Sequence, residues 1–279
     1  MFETILIPTD GSQYSEISLE YGIYLARTCN ARVTGLYVVD IKVVQSPLFN
    51  DISGSMGVPP SHEFVPLIEK GLEERGDAIL ADFEKRCLDA GVRPRVKKMT
   101  GIVDDLIIEE GADADCIILA QRGEHYSLTR GGLLGSTSEA VVRKSGKPVL
   151  VTPVAFREVQ TIGLAYDGSG PAEKALTTAV GLSSCMGCPL AVLIVTNDDR
   201  RAQSLKGKVT ELLGSAAVDS VVEVRGGKEE KGLIAFTRDG SIDLLVMGAY
   251  GHSRIRTLIL GSTTSYVIRK STIPVLMTR

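Results

Sequence analysis

The chain has 279 residues, 44% of them hydrophobic and 23% charged, with a net charge of −3. That is about twice the usual domain size of roughly 100–150 residues and suits a soluble α/β protein with two cores. Lys and Arg are scattered, no apolar run approaches the roughly 20 residues of a membrane span, and Met1 leads into a strand-like run without a signal-peptide layout. Nucleic acid and membrane are therefore not expected as partners, and a cytoplasmic location is.

In chain order, residues 4–8 form a short apolar strand, and Asp10-Gly11-Ser12 follows, where Asp10 or Ser12 can cap the next helix. Ile17, Tyr21, Tyr24 and Leu25 recur at helical spacing, and a second strand is expected over 33–39. Residues 41–69 read as an insertion whose centre, with Pro47, Gly54, Gly57, Pro59 and Pro60, is a loop: a tolerated surface segment, or a lid or docking element. A helix over 104–110 precedes an apolar strand at 115–119, the kind expected of a parallel sheet covered on both faces. After Ala120-x2-Gly123-x11-Gly135-Ser136 comes a helix ending in Arg143 and Lys144, and Pro148 introduces a closing strand at 149–152.

The second half repeats this order. A short apolar strand running from Thr161 ends in Asp167-Gly168-Ser169, matching the run from Thr4 to Ser12; Ala175, Ala179 and Leu182 mark a helix, and residues 190–195 form the second strand. A helix over 231–238, an apolar strand at 243–247, the frame Gly248-x2-Gly251-x9-Gly261-Ser262, a helix over 263–270 and a closing strand at 275–278 follow. Alternating strands and helices, twice over, give two tandem doubly wound, parallel-sheet, Rossmann-like α/β domains, residues 1–154 and 155–279.

Cys29, Cys87, Cys116, Cys185 and Cys188 are an odd set at irregular spacing, which suits buried thiols better than a disulfide framework. Cys185-x2-Cys188 ends a helix instead of opening one, and no second pair or nearby His completes a zinc site, so it points to neither redox nor metal chemistry.

The glycine frame of the second half reads as a phosphate cradle. Gly248 at a strand exit leaves room for a ligand, and Gly261-Ser262 opens a helix whose free N–H groups favour an anion. In the first half Ala120 replaces the strand-exit glycine, and the loop at 124–134, with Gly131 and Gly132, is longer. The plain alternative makes these glycines turn and cap residues, and Asp10 is read first as an N-cap. His252 reads as a solvated loop residue, His62 and His125 join no constellation, and Arg254 and Arg256 either screen phosphate or lie on the surface. Glu229-Glu230, like Asp104-Asp105, reads as an exposed helix face.

On the strand ending Asp167-Gly168-Ser169, the full glycine frame and the closing strands Pro148-Val149-Leu150-Val151 and Pro274-Val275-Leu276-Met277, the chain resembles a tandem universal stress protein, with two such adenine nucleotide alpha hydrolase-like domains covering essentially all of it. In ATP-binding members, the resemblance implies, the aspartate meets the nucleoside, the second-strand valine touches adenine through its backbone, and the glycines and Gly-Ser step hold the phosphates. Those roles fall on Asp167, Val195, Gly248, Gly251, Gly261 and Ser262, with Thr263 adding an amide. The implied ligand is ATP, or ADP or AMP, with Mg2+ or Mn2+ held through the phosphates and no protein metal site. A weaker second site would use Asp10, Val38, Gly123, Gly135, Ser136 and Thr137.

The two halves are expected to pair their closing strands as an intramolecular pseudo-dimer, with a homodimer also open and any regulatory protein partner unidentified. The function this implies is a nucleotide-responsive stress or regulatory protein. No Walker lysine motif and no Ser/His/Asp or Cys/His set emerges, so no catalytic residue is assigned, although slow ATP hydrolysis through a bound metal stays open. The alternatives are an adenylating enzyme of similar fold, whose Ser-Gly-Gly loop is missing here, and a ligand-free scaffold.

Overall fold

The computed structural model describes residues 2–44, 64–123, 135–214, 216–249 and 261–279. The first half runs β1 (Thr4–Pro8), α1 (Gln13–Cys29), β2 (Arg32–Asp40), α2 (Ile41–Val44), α3 (Phe64–Asp89), β3 (Pro94–Gly101), α4 (Val103–Gly111), β4 (Cys116–Ala120), α5 (Ser136–Lys144) and β5 (Val149–Thr152). The second runs β6 (Ile162–Ala165), α6 (Gly170–Met186), β7 (Leu190–Val195), α7 (Asp199–Gly214), β8 (Ser220–Arg225), α8 (Glu229–Arg238), β9 (Leu244–Gly248), α9 (Ser262–Lys270) and β10 (Val275–Thr278).

One ten-stranded sheet results, in the order β3-β2-β1-β4-β5-β10-β9-β6-β7-β8. Pairing is parallel within each half, and the closing strands meet antiparallel, Val275 opposite Val151 and Met277 opposite Val149. This is the tandem Rossmann-like arrangement expected, with the halves joined edge to edge. The apolar clusters on both faces of the sheet run across the joint: one links Ile7 and Tyr21 to Leu164 and Ala175, the other Leu6 and Val151 to Val275 and Met277. Polar contacts bind it too. The Gln121 amide donates to the carbonyls of Ile268 (2.7 Å) and Ser271 (3.0 Å) at the end of α9, and Arg279 donates to those of Val142 and Arg143 at the end of α5. Between the closing strand and β6, Phe156 packs on Tyr21 and Tyr24 of α1 at ring distances of 4.8 and 5.7 Å.

The sequence reading missed α3, β3, α7 and β8. Both strands lie at sheet edges and are mostly exposed, so they lack the apolar run that marks β4 and β9. Val221 on β8 is 63% exposed, and the edge is kept polar by Arg225, which pairs with Glu223 at 2.6 Å and Asp239 at 2.8 Å. Of the insertion at 41–69, residues 41–44 form α2 and residues 64–69 open α3, while the expected loop centre lies outside the described residues.

The cysteine expectation is corrected. Cys29 and Cys185 form a disulfide between the C-terminal ends of α1 and α6, with Cα atoms 5.5 Å apart and a sequence separation of 156. The pairing of β5 with β10 and the packing of α1 on α6 bring these positions together, so their spacing carried no signal. Cys87 and Cys116 are buried thiols, raised by that burial to about 11 and about 12 respectively. A cross-link closing so long a loop is worth about 2–4 kcal/mol. Reduction, or Cys29→Ser, should therefore lower the melting temperature by about 5–10 °C. Calorimetric melts within 1 °C of each other, roughly the threshold of a 0.5 kcal/mol effect, would show that the bond contributes nothing.

Candidate functional site

The second half places its predicted residues at the carboxyl ends of β6, β7 and β9, where the chain leaves β6 for neighbours on opposite sides, the crevice in which open α/β sheets hold ligands. Asp167, Val195, Gly248, Gly261, Ser262 and Thr263 all line one cleft of about 240 Å³ there. Gly251 lies outside the described residues, as do Gly131, Gly132, Arg254, Arg256 and all three histidines.

Asp167 sits in a tight turn. Its Oδ1 accepts from the Ser169 amide at 2.9 Å, and Gly168 between them has φ +80°, a left-handed conformation natural to glycine. Ser169, whose Oγ accepts from the Ala172 amide at 3.3 Å, is the N-cap of α6. The first half repeats this with Asp10 Oδ1 to the Ser12 amide at 3.0 Å and Ser12 as the cap. Asp10 is thus not the N-cap it was expected to be, because the serine two residues on already fills that place. In both halves the aspartate shapes the turn that ends at the site.

Val195 ends β7. The Tyr166 amide donates to Leu193 on the β6 side, whereas the Thr196 amide donates to Arg225 on the β8 side. Alternation along the strand then points both backbone groups of Val195 past the end of β6, into the cleft. Val38 has the same placement, two residues beyond Leu36, whose carbonyl accepts from the Thr9 amide.

Gly248 and Gly261 are glycines for different reasons. A Cβ on Gly248 would lie 2.8 Å from the carbonyl carbon and Cβ of Pro171 and 2.9 Å from the Ala172 amide, so this residue is small because the first turn of α6 presses on the strand exit. The expectation that a ligand needs that space is replaced by a packing need. Gly261, by contrast, has φ −56° and ψ 146°, open to any residue, and among the described residues a Cβ there would meet nothing nearer than Thr264 Oγ1 at 3.8 Å.

Helix α9 starts at this point with no side-chain cap. Its first backbone bond runs from the Ser265 amide to the Gly261 carbonyl, so the amides of Ser262, Thr263 and Thr264 precede the ladder and face the positive end of the helix dipole. In the first half Gly135 likewise opens α5 uncapped, ahead of Ser136 and Thr137. A Cβ on Gly135 would lie 3.8 Å from the Gly123 amide, and one on Gly123 3.3 Å from Asp10 Oδ2, so these residues also converge.

Among the described residues, no group of three or more His, Cys, Asp or Glu side chains is placed to hold a metal ion, and no helix is long and apolar enough to cross a membrane. The cleft also holds residues the sequence reading passed over. Tyr166 and Leu233 wall it, and Glu229, exposed as expected of a solvated helix face, also lines it from the first turn of α8. The signal was the start of a helix just after β8, invisible while that strand went unrecognised.

The universal stress protein family model matches residues 1–153 and again 158–279. Universal stress protein Slr1230 of Synechocystis is 35% identical over 287 residues, spanning 99% of this chain and 100% of that protein. Universal stress protein MJ0531 of Methanocaldococcus jannaschii is 32% identical over 57% of this chain and 86% of its own length. Among solved structures, a universal stress protein from Archaeoglobus fulgidus shares the fold with a TM-score of 0.76, over 99% of this chain and 96% of its own, at 24% identity.

Proposed function

The chain belongs to the universal stress protein family, and we propose that its second half binds an adenine nucleotide, ATP foremost, making the protein a nucleotide-responsive regulator and not a metabolic enzyme. The observation that carries this is Gly261. Among the described residues, neither backbone conformation nor packing asks for glycine there, and its bare face opens a helix whose first three amides precede the hydrogen-bond ladder. A phosphate approaching those amides does ask for it.

The other roles follow from position. Ser262 and Thr263 offer amides and hydroxyls to the phosphates, Asp167 offers its carboxylate to ribose hydroxyls, and Val195 presents an N–H and a C=O side by side, matching the acceptor and donor on the adenine edge. Gly251 belongs to the same phosphate loop by sequence. A Mg2+ or Mn2+ ion would be carried by the phosphates, whose charge it would offset. The first half, with its longer loop, is a weaker site built from Asp10, Val38, Gly123, Gly135, Ser136 and Thr137. The domains divide at residues 154 and 155, and the protein works in the cytoplasm.

Acid extraction of freshly purified protein, with chromatography and mass spectrometry of the supernatant, should release an adenine nucleotide. In the full chain, Gly135→Asp should leave the tightest ATP site of a calorimetric titration unchanged. No released nucleotide and no ATP binding at about 1 mM, where only some 4 kcal/mol of binding energy is needed, would favour a ligand-free scaffold. Loss of the tightest site in Gly135→Asp would move it to the first half.

A further inference from the structure

Strand order gives the cleft a direction. The anion cradle at the start of α9 lies over β9, Asp167 over β6 and Val195 over β7, each about 4.8 Å further along the sheet. A nucleotide with its phosphates on α9 and its sugar at Asp167 therefore brings its base to Val195. The next element beyond is the first turn of α8. Its Gly232 faces Val195 so closely that a Cβ would lie 3.0 Å from Val195 Cγ2, and Glu229 starts the same helix and lines the cleft. A carboxylate thus stands at the base end, away from the phosphates it would repel.

We propose that Glu229 selects the base, its carboxylate accepting a hydrogen bond from the exocyclic amine of adenine. This rests on the nucleotide reading of the cleft. The amine has two N–H groups; the Val195 carbonyl takes one and Glu229 the other. A purine with a carbonyl oxygen at that ring position has no proton to give and sets a lone pair against a carboxylate, so it is rejected. The first half shows the contrast. Its corresponding helix starts with Val103, which packs against the apolar cluster beneath the sheet, and the neighbouring Asp104 is engaged by Lys144 at 2.8 Å. The first-half site lacks this selector and should discriminate purines poorly.

An acid in the first turn of a helix also favours the dipole, and Glu230 does that equally well. The test uses the full chain and two probes that differ at the amine and at the neighbouring ring nitrogen N1, which accepts in ATP and donates in inosine triphosphate, titrated calorimetrically with Mg2+; the N1 difference is read by Val195 and is common to every Glu229 variant. Wild-type protein should prefer ATP by about tenfold or more, in keeping with a site that hydrogen-bonds a substrate N–H. Glu229→Ala should reduce the preference at least about fivefold, and Glu229→Gln, whose amide can donate to the inosine oxygen, should shift it further toward the inosine nucleotide, whereas Glu230→Gln should leave it in place. A preference left undiminished by Glu229→Ala, or one that Glu230→Gln erodes equally, overturns the assignment while the nucleotide site stands. Wild-type protein that binds neither probe removes the nucleotide reading and this inference with it.

Discussion

Gly261→Asp should weaken ATP binding at least 100-fold, about 2.7 kcal/mol, while leaving the protein as stable as before or slightly more so. Both halves of that expectation have one cause. Gly261 is the N-cap of α9, its backbone already in the extended conformation a cap requires, and aspartate is among the best residues at that position. The new carboxylate would accept from the amides of Thr263 or Thr264, stabilising the helix by up to about 1 kcal/mol. It would then occupy, permanently and with a negative charge, the amides that a phosphate needs.

Gly248→Val should behave in the opposite way. Its side chain would be driven into the backbone of Pro171 and Ala172, a collision that no rotamer relieves, and the protein should lose at least about 1–3 kcal/mol of stability whatever its ligand. Thermal melts and titration calorimetry on the two variants separate a glycine kept for a ligand from a glycine kept for packing. Wild-type ATP affinity in Gly261→Asp would remove the phosphate cradle. A melting temperature unchanged in Gly248→Val would show that α6 can retreat from the strand.

What the sequence revealed follows the strength of burial. β4, β9, β5 and β10 are buried on both faces and announce themselves as apolar runs, and the expected bounds of both closing strands match those observed. The edge strands β3 and β8 face water, carry Arg95, Lys97, Lys98, Glu223 and Arg225, and leave no such trace. At the site, the glycine spacing led to the right strand exit and the right helix start because both are local features. Its meaning at Gly248 was not local, since the atoms that exclude a side chain there belong to a helix nearly 80 residues earlier in the chain. Glu229 and the Cys29–Cys185 bond were hidden for the same reason: each depends on which strands become neighbours.

The two halves, produced separately as residues 1–154 and 155–279, should each dimerise or aggregate, while the full chain remains a monomer or forms a discrete dimer. Every residue of β5 and of β10 is buried, and the pairing between them satisfies the backbone of each along the edge it shares with the other half. Severing the halves bares two apolar edges, the arrangement most prone to pair with another copy. It also strips Gln121 of its two acceptors on α9 and Arg279 of its acceptors on α5, and it divides both apolar clusters. Because the polar contacts join unlike partners, each half satisfies itself less well than it satisfies the other. Mixing the halves should therefore dissolve the self-associated species into a one-to-one complex. In the intact chain the link between Thr152 and Ile162 keeps the effective concentration of one half around the other at roughly the millimolar level, so assembly no longer depends on how much protein is present. Light scattering coupled to size exclusion measures all three samples. Two monomeric halves that ignore each other when mixed would mean that each edge can be covered from within its own half, and the antiparallel joint would then be a consequence of the linkage instead of a source of stability.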